Sequence, residues 1–540
     1  MMDHVWAPTS RRGGMIAAAF AVAALDASIV TMRAAETPVN DWPSYNRTLT
    51  SDRYVPFDQI NKTNVSRLKP LCTYDLNVDT SFQTGPIVIG RTLYATTDKE
   101  IFAIDAETCQ QKWRVREEGP SLGLRVNRGA AYLDGRLFRG TGEGNVLAYD
   151  AATGKKLWST HIADPAKGES VPSAPIAWNG LVFIGTAGSD RYGVKGRMYA
   201  LDAMTGKVVW ETYTVPTDAK QPGNETMQAK AKASWDNAND VPITGGGTWT
   251  SYTLDAERGL LYIPVGNPGP DFTKDVRSGE NLFTNCILIL DAKTGIYRQH
   301  YSLVPADFHD WDLAAAPALI TTKRGKRLVA GAPKDGLLHA YDVVSNIKLF
   351  ETPITTRENV ERPLSPTPTH FCPGAAGGSE WNGPAYSPET NLLYDGTVDW
   401  CTTVALDASE LAKKPGQSWT GAQLVDQFGK KDLNWSGWVT ATDADTGRVK
   451  WRFHAGAPVV SGITPTKGGL VFAGDMDKHA YAFDAESGKI LWQTEMPGAP
   501  GGGVISYLVD GKQRVAIVAG TRTTVLPVAP ASAKIVIFGL

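Results

Sequence analysis

Cysteine is scarce in these 540 residues, which hold only Cys72, Cys109, Cys286, Cys372 and Cys401. No two of them form CxxC, and no CxxCH occurs, so covalent attachment of a c-type haem is excluded. An excess of either charge is also missing. The 54 basic and 56 acidic side chains leave a net charge of −2, which forecasts neither a nucleic-acid-binding face nor a disordered acidic tail. Beyond residue 31 no apolar run reaches the ~18–20 residues of a helical membrane span, so stable membrane insertion is not expected. Glycine (54) and proline (33) together stay well below the level of a low-complexity chain. Glycine is nevertheless generous and tryptophan abundant, at sixteen. Many tight turns and a recurring large aromatic suit a large all-β fold.

Residues 1–35 read as a signal peptide. Arg11 and Arg12 precede the Ala-rich stretch Met15–Val30, broken only by Asp26, and small residues follow at Ala34 and Ala35. Export to the periplasm is the expectation, and in an oxidising compartment four cysteines can pair. The nearer partners in sequence are Cys72 with Cys109 and Cys372 with Cys401, leaving Cys286 free and buried. Sequence alone does not fix that connectivity.

An internal repeat sets the fold. The phrase Ala-x-Asp-Ala-x-Thr-Gly-Lys-x-x-Trp recurs with its aspartate at Asp105, Asp150, Asp202, Asp291, Asp342, Asp443 and Asp484, and a degraded copy has Asp407. Each copy reads as a strand end, a tight turn with glycine at a positive-φ position, and the start of a next strand. A second strand pair stands upstream of most copies. Four strands in each of eight units give an eight-bladed β-propeller, one domain spanning 36–540, with the tryptophans packing between blades. Wider spacings locate insertions at 212–242, 355–384 and 409–434, the last with a helical stretch near 421–430. Long loops in a compact domain are usually functional, and these are expected to wall a cavity at the mouth of the central channel.

Between the repeats stand blocks of a different kind: GGGTWTSYTLDAERGLLYIPVGNPGPD (245–271), DFHDWDLAAAP (307–317), FIGTAGSDRYGVKGRMYALD (183–202), VNRG (126–129) and FCPGAAGGSEWNGPAYSP (371–388). With them the chain resembles the pyrroloquinoline quinone (PQQ)-dependent alcohol dehydrogenases, from Trp42 to Gly520. That resemblance implies a PQQ cofactor, a Ca²⁺ ion, a small or polymeric alcohol as substrate, and a soluble cytochrome c as electron acceptor. It makes Trp249 the aromatic floor under the quinone and Asn267 a neutral oxygen ligand of the metal. Asp312 becomes both a ligand of the metal and the base that removes the hydroxyl proton beside it, with Asp310 its local rival. Asp190 supplies the third metal ligand if one residue is inserted; without the insertion Arg191 would stand there, and a cation cannot ligate Ca²⁺.

The resemblance also assigns Arg128 to a quinone carboxylate and Lys334 to the quinone oxygen at C5. Gln83, Ser173, Gly188 and Ser189 complete the cofactor contacts. It supports the Cys372–Cys401 pairing. Ala314 stands where lanthanide-dependent members carry a further aspartate, which makes this chain a calcium user. Two adjacent cysteines that usually lie over the cofactor are replaced by Leu122 and Gly123. The alternative is a non-enzymatic propeller scaffold of the cell envelope, which shares the repeats but has no use for the intervening blocks.

Overall fold

The repeat turn explains the architecture of the computed structural model, which describes Met1 and residues 40–540 apart from 120–124, 239, 427–434 and 524. In the second copy, Asp150 closes a strand and its Oδ1 accepts from both the amide and the hydroxyl of Thr153. Gly154 then takes φ +73, and a Cβ there would meet the Trp113 ring at 2.7 Å. The glycine is therefore required twice, for its backbone and for the tryptophan that lies on it. The Trp113 indole N–H donates to the carbonyl of Ala151, so this tryptophan clasps the turn of the following repeat. Trp158 and Trp210 do the same to Ala203 and Ala292. Where the phrase reads DVVSN, Asn346 at φ +60 replaces the glycine, as the left-handed tolerance of asparagine allows.

Among the described residues, eight four-stranded antiparallel sheets follow one another as a β-propeller. The first runs Ile87–Ile89, Thr92–Thr96, Glu100–Asp105 and Gln111–Arg116. Six more repeat this order, ending with Thr464–Pro465, Leu470–Gly474, His479–Asp484 and Ile490–Glu495. The remaining sheet combines Pro500–Val509, Lys512–Ala519 and Lys534–Gly539 with the early strand Lys69–Asp75. Sequential clusters of Val, Ile, Leu and small residues pack between neighbouring sheets.

Two expectations need correction. Asp407 belongs to no four-stranded sheet. It caps the short 3₁₀ turn Ala408–Leu411 beside an inserted three-stranded sheet of Thr369–Phe371, Thr402–Leu406 and Ala422–Leu424. The eighth four-stranded sheet has no Asp-Ala turn at all. The stretch expected to be helical instead begins with the strand Ala422–Leu424, held because Val404–Leu406 offers it an edge to pair with, and 427–430 lies outside the described residues. The one α-helix among the described residues is Glu225–Ala233, in the 212–242 insertion.

Both disulfides form as expected, Cys72–Cys109 and Cys372–Cys401, and Cys286 is free and buried. No helix among the described residues is long and apolar enough to cross a membrane. Residues 2–35, and Leu122 with Gly123, lie outside the described residues.

Candidate active site

Loops at the start or middle of successive sheets converge on one cavity of about 1130 Å³. Gln83 enters before the first sheet and Arg128 before the second, while Gly188 and Asp190 lie within the third. Trp249 precedes the fourth sheet and Asp271 sits inside it, with Asn267 buried behind the cavity wall. Asp310 and Asp312 bridge to the fifth, which carries Lys334, and Glu380 and Trp381 precede the sixth.

Asp312 lies at the base of this cavity and is almost wholly buried. Its Oδ2 accepts from Lys334 Nζ at 2.7 Å. Its Oδ1 accepts from the Asn267 amide at 3.0 Å and faces the Trp249 indole N–H at 3.5 Å. The fit is close: a Cβ on Gly266 would stand 2.3 Å from that same Oδ1. The glycine in VGNPGP is thus what admits the carboxylate. Burial works against the Lys334 ammonium, but Asp310, Asp312 and Glu380 outweigh it and hold its pKa well above the ordinary lysine value.

A second group of acids lies beside it. One carboxylate oxygen from each of Asp190, Asp271 and Asp310 falls within 4.8 Å of the others. Asp190 opens to the cavity yet is ringed by protein. Desolvation first, and Asp312 second, push its carboxyl up to about 6 against Lys334 and Arg191. Burial and the neighbouring carboxylates raise Asp271 well above the usual range. Asp310 rises likewise, with burial the largest cause and Lys334 opposing it. Asn267 is wedged between the two groups: its Nδ2 donates to Asp271 Oδ1 at 3.0 Å, and its Oδ1 is buried without a partner. Arg191 turns aside, giving its guanidinium to the Gly416 carbonyl.

Trp249 is half-buried on the cavity wall. Arg128 lies over its ring at 4.5 Å and within 5.6 Å of the Trp381 ring. Desolvation first of all lowers Arg128 to about 10. The guanidinium lies over one face of the Trp249 ring. Gln83 turns Nε2 to Ser81 and leaves Oε1 buried and unpartnered, as is Arg128 Nε. These bare groups, the indole face and the oxygen-rich acid group fit a planar, carboxylated cofactor and a hard cation.

Not every expected residue reaches the cavity. Ser173 is fully buried and spends its Oγ on the Gly185 carbonyl, and Ser189 Oγ accepts from the Gly247 amide. Asp312, expected at the metal, is not one of the three clustered acids; its oxygens accept from Lys334 and the Asn267 amide. Sequence reasoning missed Asp271, Glu380 and Trp381, although all three stand inside the quoted blocks. Glu380 is buried on the wall; burial and then Asp312 push it up to about 7, against Lys334 and Arg128.

Residues 42–345 match the family described as PQQ, glucose/ethanol/alcohol dehydrogenase, beta-propeller domain. Residues 436–533 match that of the outer membrane protein assembly factor BamB. The chain is 30% identical to the quinohemoprotein alcohol dehydrogenase ADH-IIG of Pseudomonas putida over 534 residues, covering 90% of this chain and 73% of that protein. It is 29% identical to the lanthanide-dependent methanol dehydrogenase of Methylacidiphilum fumariolicum, covering 90% and 85%. Among solved structures it resembles ADHIIG with a TM-score of 0.84 at 26% identity, covering 93% of this chain and 80% of that one. A europium-containing methanol dehydrogenase gives 0.82 at 26%, covering 93% and 98%.

Proposed function

The chain belongs to the PQQ-dependent alcohol dehydrogenases, and on that premise we propose that it is a periplasmic enzyme converting an alcohol to the aldehyde or ketone, with Asp312 as the base. The observation that carries this reading is Asp312 itself, buried and aimed at the cavity by three donors from Lys334, Asn267 and Trp249. When bound, PQQ supplies the hydride acceptor and the cation beside it makes that acceptor more electrophilic.

The protein does the rest. Asp312 takes the hydroxyl proton on a carboxylate oxygen, and Lys334, 2.7 Å away, holds that carboxylate in place. Trp249 and Trp381 supply flat apolar walls, and Gln83 and Arg128 supply a bare acceptor and a cation for the polar rim of the cofactor. Gly188 stands on the wall with no side chain, because a Cβ there would strike the Gly168 carbonyl at 2.2 Å.

Asp190, Asn267 and Asp312 would hold the metal. We read the ion as Ca²⁺ from the alanine at 314; because Asp271 and Asp310 add charge which that argument ignores, La³⁺ is the competing arm of the test. The eight sheets are read as eight blades of one domain over 36–540. We read the electron acceptor as a soluble cytochrome c. A non-enzymatic scaffold has no use for this convergence of base, ammonium and acids.

The test mixes purified protein with PQQ and either Ca²⁺ or La³⁺ and follows dye reduction across primary, secondary and polymeric alcohols. Alcohol-dependent reduction that needs both quinone and ion is expected, with Ca²⁺ the better ion. No reduction with any alcohol would overturn the enzymatic reading, and a faster rate with La³⁺ would overturn the calcium one.

A further inference from the structure

We propose that Asp271 and Asp310 are further ligands of the cation, so that this protein binds its ion with its own side chains before any quinone is present. The inference rests on the metal-dependent reading above and deepens it by naming what holds the ion.

Three carboxylates within 4.8 Å of one another repel when ionised, and a cation between them offsets that repulsion. Lys334 Nζ, 3.8 Å from Asp310 Oδ2, offsets part of that charge, but its short contact is to Asp312. Asn267 is an independent pointer to a cation. It is 1% exposed, its Nδ2 is committed to Asp271 and its backbone amide to Asp312, and Oδ1 remains the bare atom of a side chain fixed on both sides. Three carboxylates and one amide oxygen supply at least four of the roughly six to eight oxygens that Ca²⁺ takes.

The acids are also held together by a strap of chain. The Trp419 amide donates to the Asp190 carbonyl at 2.9 Å, and the Asp271 amide reaches the Trp419 carbonyl at 3.4 Å. Phe272 donates to Thr420 and Tyr192 to Gln417, so the loops bearing Asp190 and Asp271 are tied to residues 417–420 of the 409–434 insertion. The Trp419 indole is anchored on the Leu411 carbonyl, and its ring meets Tyr192 edge-on at 4.8 Å. Backbone bonds that crowd carboxylates into one place make a preformed oxygen cage, which gains most from a divalent ion.

The experiment is calorimetric titration of Ca²⁺ into the quinone-free full chain, with the Ca²⁺-induced rise in melting temperature as a second readout. One ion per chain is expected, with Asp271→Asn and Asp310→Asn each weakening binding by about 10-fold or more and Asp79→Asn at the cavity mouth leaving it unchanged. Asp310 sits at φ +64, a conformation asparagine tolerates, so Asp310→Asn keeps the fold and decides the matter if Asp271→Asn does not fold. Absence of Ca²⁺ binding without quinone, or wild-type binding in both variants, would overturn the inference. If the chain then still reduces dye with quinone and Ca²⁺, the proposed function stands and only this assignment fails. Ca²⁺ binding that depends on Asp271 and Asp310, in a chain that oxidises no alcohol, would uphold the ligand set and sink the enzymatic reading.

Discussion

Asp312 has both oxygens engaged by donors and stands outside the group formed by Asp190, Asp271 and Asp310, so its loss bears on proton transfer more than on the ion. Asp312→Asn keeps an oxygen for the Asn267 amide but cannot take a proton. Turnover is expected to fall about 10²–10⁴-fold, while Ca²⁺ affinity of the quinone-free chain changes by less than about 3-fold. Dye-reduction rates and calorimetry on the same preparation check this; a loss of ion binding equal to the loss of rate would mean that Asp312 acts through the metal alone and not as the base. Gly266→Ala is expected to slow turnover as well, because its methyl group would lie where Asp312 Oδ1 now stands. At this scale much was legible. Trp249 and Asp312, from two separate blocks, line one cavity, and Asn267 meets Asp312 through its amide. Asp271 was not legible, though it lies four residues after Asn267, because only the turn that folds back through Pro268–Pro270 brings its carboxylate to the asparagine amide. Ser173 misled for the opposite reason: a small hydroxyl residue satisfies the nearest backbone carbonyl before it reaches a cavity.

The strand Leu392–Asp399 is buried along its whole length, and in its middle Asp395 is fully buried with both oxygens unpartnered. Burial alone pushes its carboxyl up to about 7 from an ordinary 3.8. The folded chain therefore favours the neutral acid. Stability from this group is fully present below about pH 4 and is lost as pH rises to about 7, with no further loss above. Relative to wild type, Asp395→Asn is expected to gain on the order of 3 kcal/mol between pH 4 and pH 8. Denaturant midpoints measured across that range give the answer, and a difference independent of pH would show the carboxyl to be solvated. The repeat turn, by contrast, was readable in detail, because aspartate, threonine and glycine each do defined local work there. The copy at Asp407 kept the aspartate and lost the glycine and the tryptophan. Without them it makes a cap, not a blade turn. The 421–430 stretch was misread because a run with no clear period takes the structure its neighbours offer, here a free strand edge.

Across the whole molecule four tryptophan clasps, from Trp113, Trp158, Trp210 and Trp451, are each closed by the repeat that follows, while the repeats at Asp291 and Asp342 carry no tryptophan there. The last, Trp492, has no later turn to hold and donates instead to the Leu68 carbonyl, just before the strand Lys69–Asp75. That strand in turn pairs with Lys534–Gly539, and Cys72–Cys109 ties it to the first sheet. The repeat foretold a ring, but not that its first strand would complete its last sheet, since pairing across nearly the whole chain leaves no local signal. Replacing Cys72 and Cys109 by serine is expected to lower unfolding stability by about 2–4 kcal/mol, read from denaturant curves, by restoring freedom to the 37-residue loop; an unchanged midpoint would mean the strand is held by pairing alone. The order of synthesis gives this closure a further meaning. Until Lys534–Gly539 has been made, Lys69–Asp75 and Lys512–Ala519 each lack the partner strand that lies between them, and open strand edges are templates for mispairing between chains. A nascent chain stopped short of Lys534 is thus not a smaller ring but an adhesive one, and safe folding has to wait for the final residues.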